Sequence, residues 1–140
     1  MPYSTVDDLK IYMSEDDIRK FSNDDPSIET INTVLVEALI VDADSEIDMY
    51  VSKKYKIPLT TIPPIIKRLS SVLTGYSLTR RNNKFELADK FITNIEYVDA
   101  MKTLEKISKG KIKLPIKKLS SMSIYGNVSI MGLDRATTGG

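Results

Sequence analysis

Read from its N-terminus, the chain alternates stretches of helical apolar spacing with residues that start or stop a helix. Thr5 to Met13 predicts a short helix, capped by Thr5, with Asp7 and Asp8 in the first turn where the helix dipole favours anions. Ser14 to Phe21 predicts a second, with Ser14 as N-cap and Glu15, Asp16 and Asp17 behind it. Pro26 pushes Asp25 out of helical geometry and ends the pair. From Ser27 to about Lys54, Ile28, Ile31, Leu35, Ala38 and Leu39 recur at three- and four-residue spacing, and Ala43, Ile47, Tyr50 and Val51 continue the stripe. One amphipathic helix of roughly 40 Å is expected there.

Tyr55 to Leu59 is expected to be extended, because Ile57 precedes a proline. Pro63-Pro64 then restarts the chain, and Pro64 suits a first helical turn. The next helix, Pro64 to about Arg81, is expected to bury Ile65, Leu69, Val72, Leu73 and Tyr76. After a polar link, a last helix from about Glu86 to Lys109 places Phe91, Ile95, Val98, Met101, Leu104 and Ile107 inward. Gly110 sits where a left-handed C-cap belongs.

Beyond Gly110 the pattern changes. Lys111 to Leu119 alternates basic and apolar residues around Pro115, as an extended arm would. Met122, Ile124, Val128 and Ile130 then occupy every second position. A two-residue loop at Gly126-Asn127 would mix the faces, whereas a loop from Tyr125 to Asn127 keeps one apolar face, as does a single strand added to a partner's sheet. Two strands alone are marginal in water, so this face needs something to lie against. The expected fold is all-α: a small helical bundle with one long helix, two short N-terminal helices and an extended C-terminal arm carrying a β-hairpin or an added strand. The helical domain takes residues 1–114 and the arm 115–140.

Composition narrows the chemistry. At 140 residues, 41% hydrophobic and 28% charged, the chain fits one ordinary globular domain. It has no cysteine and no histidine, which removes disulfides, thiol nucleophiles, histidine bases and the usual zinc and haem ligands. No apolar run approaches the ~20 residues of a membrane span, and Met1-Pro2-Tyr3 begins no signal peptide, so no membrane partner is expected. The net charge of +1 hides an asymmetry: residues 1–50 hold 13 acids against 3 bases, and the remainder 17 bases against 6 acids. Such halves suggest complementary patches, within one molecule or between neighbours, or simply solvated faces.

Asp42, Asp44, Glu46 and Asp48 resemble the start of a calcium loop, but positions six and twelve hold Ile47 and Lys53 where glycine and glutamate are required. In a helix these acids split between two faces, and they read as solvated or inter-subunit charge. Ser70-Ser71 and Ser120-Ser121 have no histidine to activate them; Lys67 or Lys118 could serve only in a Ser–Lys arrangement that no motif supports. No glycine-rich phosphate loop is present. No catalytic residue, metal or cofactor is therefore expected, and the chain does not read as an enzyme. The basic set Lys102, Lys106, Lys109, Lys111, Lys113, Lys117 and Lys118 can contact phosphates in a salt-sensitive, sequence-blind manner, or dock on a neighbour's acidic half.

Several segments together carry a family likeness: Tyr3-Ser4-Thr5 with Asp7-Asp8-Leu9, Asp42 to Asp48, Tyr55-Lys56-Ile57-Pro58-Leu59, Pro63-Pro64, and Leu104 to Leu114. In their order and spacing they resemble Mu-like prophage proteins that look like the small all-α head–tail connector (adaptor, head-completion) proteins of tailed phages. The likeness covers roughly residues 1–114. It implies a dodecameric ring beneath the portal protein, at the head–tail junction of a virion assembled in the host cytoplasm. It further implies a lumen traversed by genomic DNA and a lower face that receives a downstream connector, stopper or tail protein. In that setting Leu114, Ile116, Leu119, Met122, Ile124, Val128 and Ile130 are expected to dock on the portal or a neighbour. Lys109, Lys111, Lys113, Lys117 and Lys118 would meet DNA or an acidic neighbour, and Asp42, Asp44, Glu46 and Asp48 would form an inter-subunit acidic face. A free-standing, non-specific DNA-binding helical protein is the alternative. A hydrolase or transferase using the carboxylates of Asp42 to Asp48 is the third, disfavoured by the missing histidine and glycine-rich loop.

Overall fold

Local side-chain chemistry starts most of the helices. In the computed structural model, which describes residues 1–81 and 94–119, five helices are present: α1 Val6–Leu9, α2 Glu15–Ser22, α3 Thr33–Val51, α4 Pro64–Arg80 and α5 Asn94–Ser108. Thr5 caps α1 in a reciprocal box with Asp8, and Ser14 Oγ accepts the Asp17 amide at 3.1 Å to start α2. Pro63 and Pro64 start α4 without a side-chain cap, since the ring needs no partner for a missing N–H. At the far end of α5, Gly110 has φ +78°; its amide reaches the Ile107 carbonyl and the Lys111 amide the Lys106 carbonyl, closing a Schellman motif. The all-α class is as expected, with no strand among the described residues.

The long helix is shorter than the apolar spacing suggests. It has 19 residues, hence about 28 Å, and it does not begin at Ser27. Residues 27–32 are claimed by side chains instead. Asp25 accepts from the Ser27 amide, Asn23 Nδ2 donates to the Thr30 carbonyl at 2.7 Å, and Ser22 Oγ accepts the Asn32 amide. These bonds compete with helix propagation, and Asn32 then caps α3 by accepting the Leu35 amide. The buried stripe of α3 is Val36, Ile40, Ala43, Ile47 and Val51, whereas Leu35, Leu39 and Tyr50 sit half-buried at its edge and Ala38 and Ile28 are exposed.

Helix α4 lies at the centre and touches the other four. It buries Ile66, every residue from Leu69 to Gly75, and Leu78 and Thr79, while Ile65 and Tyr76 are half-buried. α3 and α4 run antiparallel, because Val36 and Ile40 share one core cluster with Leu78 while Ala43, Ile47 and Val51 share another with Ile66 and Leu69. The first cluster adds α1 and α2 through Leu9, Met13, Ile18 and Phe21. The second adds Tyr3, Tyr55, Leu59 and α5. A fully buried side chain such as Ile47 or Leu104 contributes about 1.5–3 kcal/mol, so these two cores hold the body together and the exposed ion pairs do not. On α5 the inward residues are Ala100, Leu104 and Ile107; Ile95 and Val98, expected inside, are 73% and 45% exposed. The expected turns before Asn94, with Phe91, lie outside the described residues.

The arm begins by folding back. Leu114 is buried in the second core, and its amide donates to Tyr55 Oη at 2.8 Å. Tyr55 pairs with Lys118 in a single antiparallel bridge, and the Leu119 amide reaches the Lys54 carbonyl at 2.9 Å. Leu114 and Ile116, expected to dock on a partner, therefore pack against the chain's own core. The chain as far as Leu119 is part of the helical body. Met122, Ile124, Val128 and Ile130, and the hairpin or added strand they would form, lie outside the described residues.

Replacing Tyr55 by Phe leaves the buried Leu114 amide without its acceptor and should cost about 1–3 kcal/mol in denaturant unfolding. Hydrogen exchange should show the amides of Leu114 and Leu119 losing protection while α5 keeps its own. Unchanged protection at these two amides would contradict the pinning role given to Tyr55.

Candidate interaction surfaces

Asp44 and Asp48 lie one turn apart on α3, and both turn towards the N-terminal segment. The Tyr3 amide donates to Asp44 Oδ2 at 2.8 Å, and Tyr3 Oη donates to Asp48 Oδ1. The same phenol oxygen accepts the Leu59 amide at 3.1 Å. Ser70 Oγ, from α4, donates to Asp44 Oδ1 at 2.6 Å, so the Ser4 hydroxyl 2.7 Å away must donate to Ser70. Burial, then the bond to Asp48, pushes the Tyr3 phenol up to about 12. Burial also raises the Asp44 carboxyl above its ordinary value, against the bonds from Ser70 and Tyr3.

Two of the four acids assigned to an inter-subunit face thus serve the chain's own fold. Asp42 is exposed, and half-buried Glu46 lies near enough to Tyr97 to help raise its phenol, after burial. The four acids do split between faces, but charge reversal at Asp44 or Asp48 would break the body before it tested an assembly. Among the described residues, no group of three or more His, Cys, Asp or Glu is placed to hold a metal ion. Ser71 Oγ donates to the Lys67 carbonyl, not to its amine. None of the described helices is long and apolar enough to cross a membrane.

The lysines expected to form a functional set are gathered more tightly than their sequence positions suggest. Lys109, Lys111, Lys113, Lys117 and Lys118 are all exposed. The Tyr55–Lys118 bridge brings them beside Lys53, Lys54 and Lys56, and the Lys54 side chain passes Gly110. Sequence reasoning left out Lys53, Lys54 and Lys56; the signal was a lysine-rich corner flanking a tyrosine that a later segment could pair with. Lys109 meets Glu105 at 3.7 Å, and among the described residues no ion pair within 4.0 Å involves Lys53, Lys56, Lys111, Lys113, Lys117 or Lys118.

The opposite end, about 28 Å away along α3, is acidic. Glu15, Asp16 and Asp17 start α2, and Asp24, Asp25 and Glu29 follow in the loop. Three of these six acids meet a base: Lys10 bridges Asp7 and Glu15, Arg19 and Lys20 meet Asp16, and Arg81 meets Asp24 at 3.5 Å, while Asp17 and Asp25 accept from the Ser14 and Ser27 hydroxyls. Arg19, then Lys20, holds the Asp16 carboxyl below its usual value, and bonds from Ser27 do the same for Asp25. The body is therefore dipolar, with a partly paired acidic end and an open basic one.

Two similarities to known proteins accompany this geometry. A family model described as "Bacteriophage Mu, Gp36" matches residues 3–128. The "Mu-like prophage FluMu protein gp36" of Haemophilus influenzae is 28% identical over 89 residues, which is 64% of this chain and 59% of that protein. The chain thus matches over less than two thirds of that relative's length.

The Asp44 network makes a pH-dependent prediction. Its folded pKa is raised above the ordinary 3.8, so the proton on Asp44 stabilises the fold. That contribution is complete below 3.8 and is lost as pH rises through the folded value. Asp44→Asn keeps an acceptor for the Tyr3 amide and can donate to Ser70 Oγ, but it does not titrate. Urea unfolding from about pH 3 to about pH 7 should show wild type losing stability relative to Asp44→Asn as pH rises, then levelling. Parallel profiles would contradict the assignment.

Proposed function

Starting from the fact that the chain belongs to the Bacteriophage Mu Gp36 family, we propose that this phage protein is a structural head–tail connector, an adaptor that forms a ring beneath the portal and continues the DNA channel. The observation that carries this reading is the dipolar body. Two hydrophobic cores hold one helical body around α4, and its basic and acidic ends lie at opposite ends of α3. A body with unlike ends suits head-to-tail packing around a closed ring, in which each copy uses two different surfaces. In this role the protein acts by shape and charge, without catalytic groups, metal or cofactor. Its partners are the portal protein, copies of itself in a ring expected to be a dodecamer, a downstream connector, stopper or tail protein, and the genomic DNA in the lumen. Its place is the head–tail junction of the virion.

The portal-docking role rests on Met122, Ile124, Val128 and Ile130, because Leu114 and Ile116 are taken up by the core. The open lysine end favours one second reading, non-specific DNA binding by a monomer through phosphate contacts.

Mixing the full chain with the portal of its own phage should add a ring of density beneath the portal in electron micrographs. Removing residues 120–140 should leave the melting of the body unchanged and abolish attachment; intact attachment by that truncation would remove the docking role from this segment. A bare portal, together with salt-steep binding of duplex DNA by a monomer, would favour the second reading.

A further inference from the structure

The outward face of α3 is unusual for a helix on the surface. Val34, Ala38, Val41, Ser45 and Met49 follow one another at three- and four-residue spacing, opposite the buried stripe, and no charge interrupts them. Val34, Val41 and Met49 are 77%, 60% and 70% exposed. A helix at a protein surface ordinarily turns charge outward, whereas α3 is apolar on both faces. Exposed Glu37 and Asp42 border the stripe, and a groove of about 410 Å³ runs beside Val41 and Ser45 under Met1 and Pro2, with Asp44 and Asp48 in its wall.

The lysine end has the complementary make-up. Ile57 and Leu119 are 37% and 39% exposed there, and the Leu119–Lys54 bond sets them among Lys54, Lys56, Lys117 and Lys118. One surface is apolar with an acidic border, the other apolar with a basic border. Glu15 and Asp16 of α2 are a poorer match for these lysines, because Lys10, Arg19 and Lys20 already pair with them.

We infer that the outward stripe of α3 is a self-assembly face, and that its occupant is the Ile57/Leu119 lysine end of a second copy of this chain. The acidic border repels nucleic acid and favours this basic partner. Because the two surfaces differ, each contact leaves one of each kind free, and the assembly propagates into a ring or a filament. The inference rests on the connector reading for its setting and names the surfaces that reading leaves open.

Since the natural chain has no cysteine, Val41→Cys and Leu119→Cys introduce the only thiols. Within one copy, Val41 is about 15 Å along α3 from Val51, which is beyond disulfide reach of the Lys54–Leu119 bridge. Mild oxidation of the concentrated full-length double variant should give a ladder of dimers, trimers and higher species, and each single variant no ladder. Adding Asp42→Lys should lower the ladder yield roughly tenfold without changing the melting temperature, through charge repulsion at the contact. Efficient dimers from Val41→Cys alone would mean that the stripe meets its own copy and would overturn the inference, as would the absence of any ladder. As a check free of thiols, Val41→Glu should keep the fold and sediment as a smaller species than wild type at equal concentration; equal sedimentation would also overturn it. A missing ladder with portals still decorated removes this inference and leaves the connector reading standing. A ladder with bare portals does the reverse.

Discussion

The fold depends on finding donors for a carboxylate that its own packing half-buries. Asp44 sits on the face of α3 where α4 and the N-terminal segment converge, and an unpaired carboxylate there would be costly. The Tyr3 amide and the Ser70 hydroxyl meet it, and each brings a different part of the chain. Through Tyr3 Oη the network extends to Asp48 and to the Leu59 amide, so one side chain joins the N-terminus, α3 and the corner before α4. Tyr55 does the equivalent at the other end, where its phenol holds the Leu114 amide and its backbone pairs with Lys118. Two tyrosines thus close the described body, one at the N-terminal segment and one at residues 114–118, and the cores fill in between.

What was legible in the sequence was local. Thr5, Ser14, Pro64 and Gly110 act on their own neighbours within a few residues, and each lies where the pattern puts it. The start of α3 was missed because Ser22 and Asn23 reach across a loop to capture residues 30 and 32, which no periodicity records. The register of its buried stripe was blurred for a different reason. With apolar residues on both faces, Leu35 and Leu39 fit one phase as well as Val36 and Ile40 fit the true one. The candidate site needed contacts between residues far apart in the chain. Nothing local shows that Asp44 and Asp48 face Tyr3, or that Lys54 lies beside Leu119.

These non-local contacts decide how the charges are used. The acidic end has Glu15, Asp16 and Asp24 paired with its own bases, which lowers without cancelling the charge that a partner could read. The lysine end keeps its charge open to solvent because the arm folds back and adds its lysines to those of the corner. In this phage protein the open basic end and the apolar outer face of α3 are thus the surfaces its own fold leaves unused.

The central claim, that this helical body is a connector seated on a portal, is tested most directly by native mass spectrometry of the portal ring with the full chain in excess. The account predicts a single dominant complex whose mass exceeds that of the portal by a whole number of copies equal to the portal's own symmetry. An unchanged portal mass, or a broad distribution of partial occupancies, would contradict it.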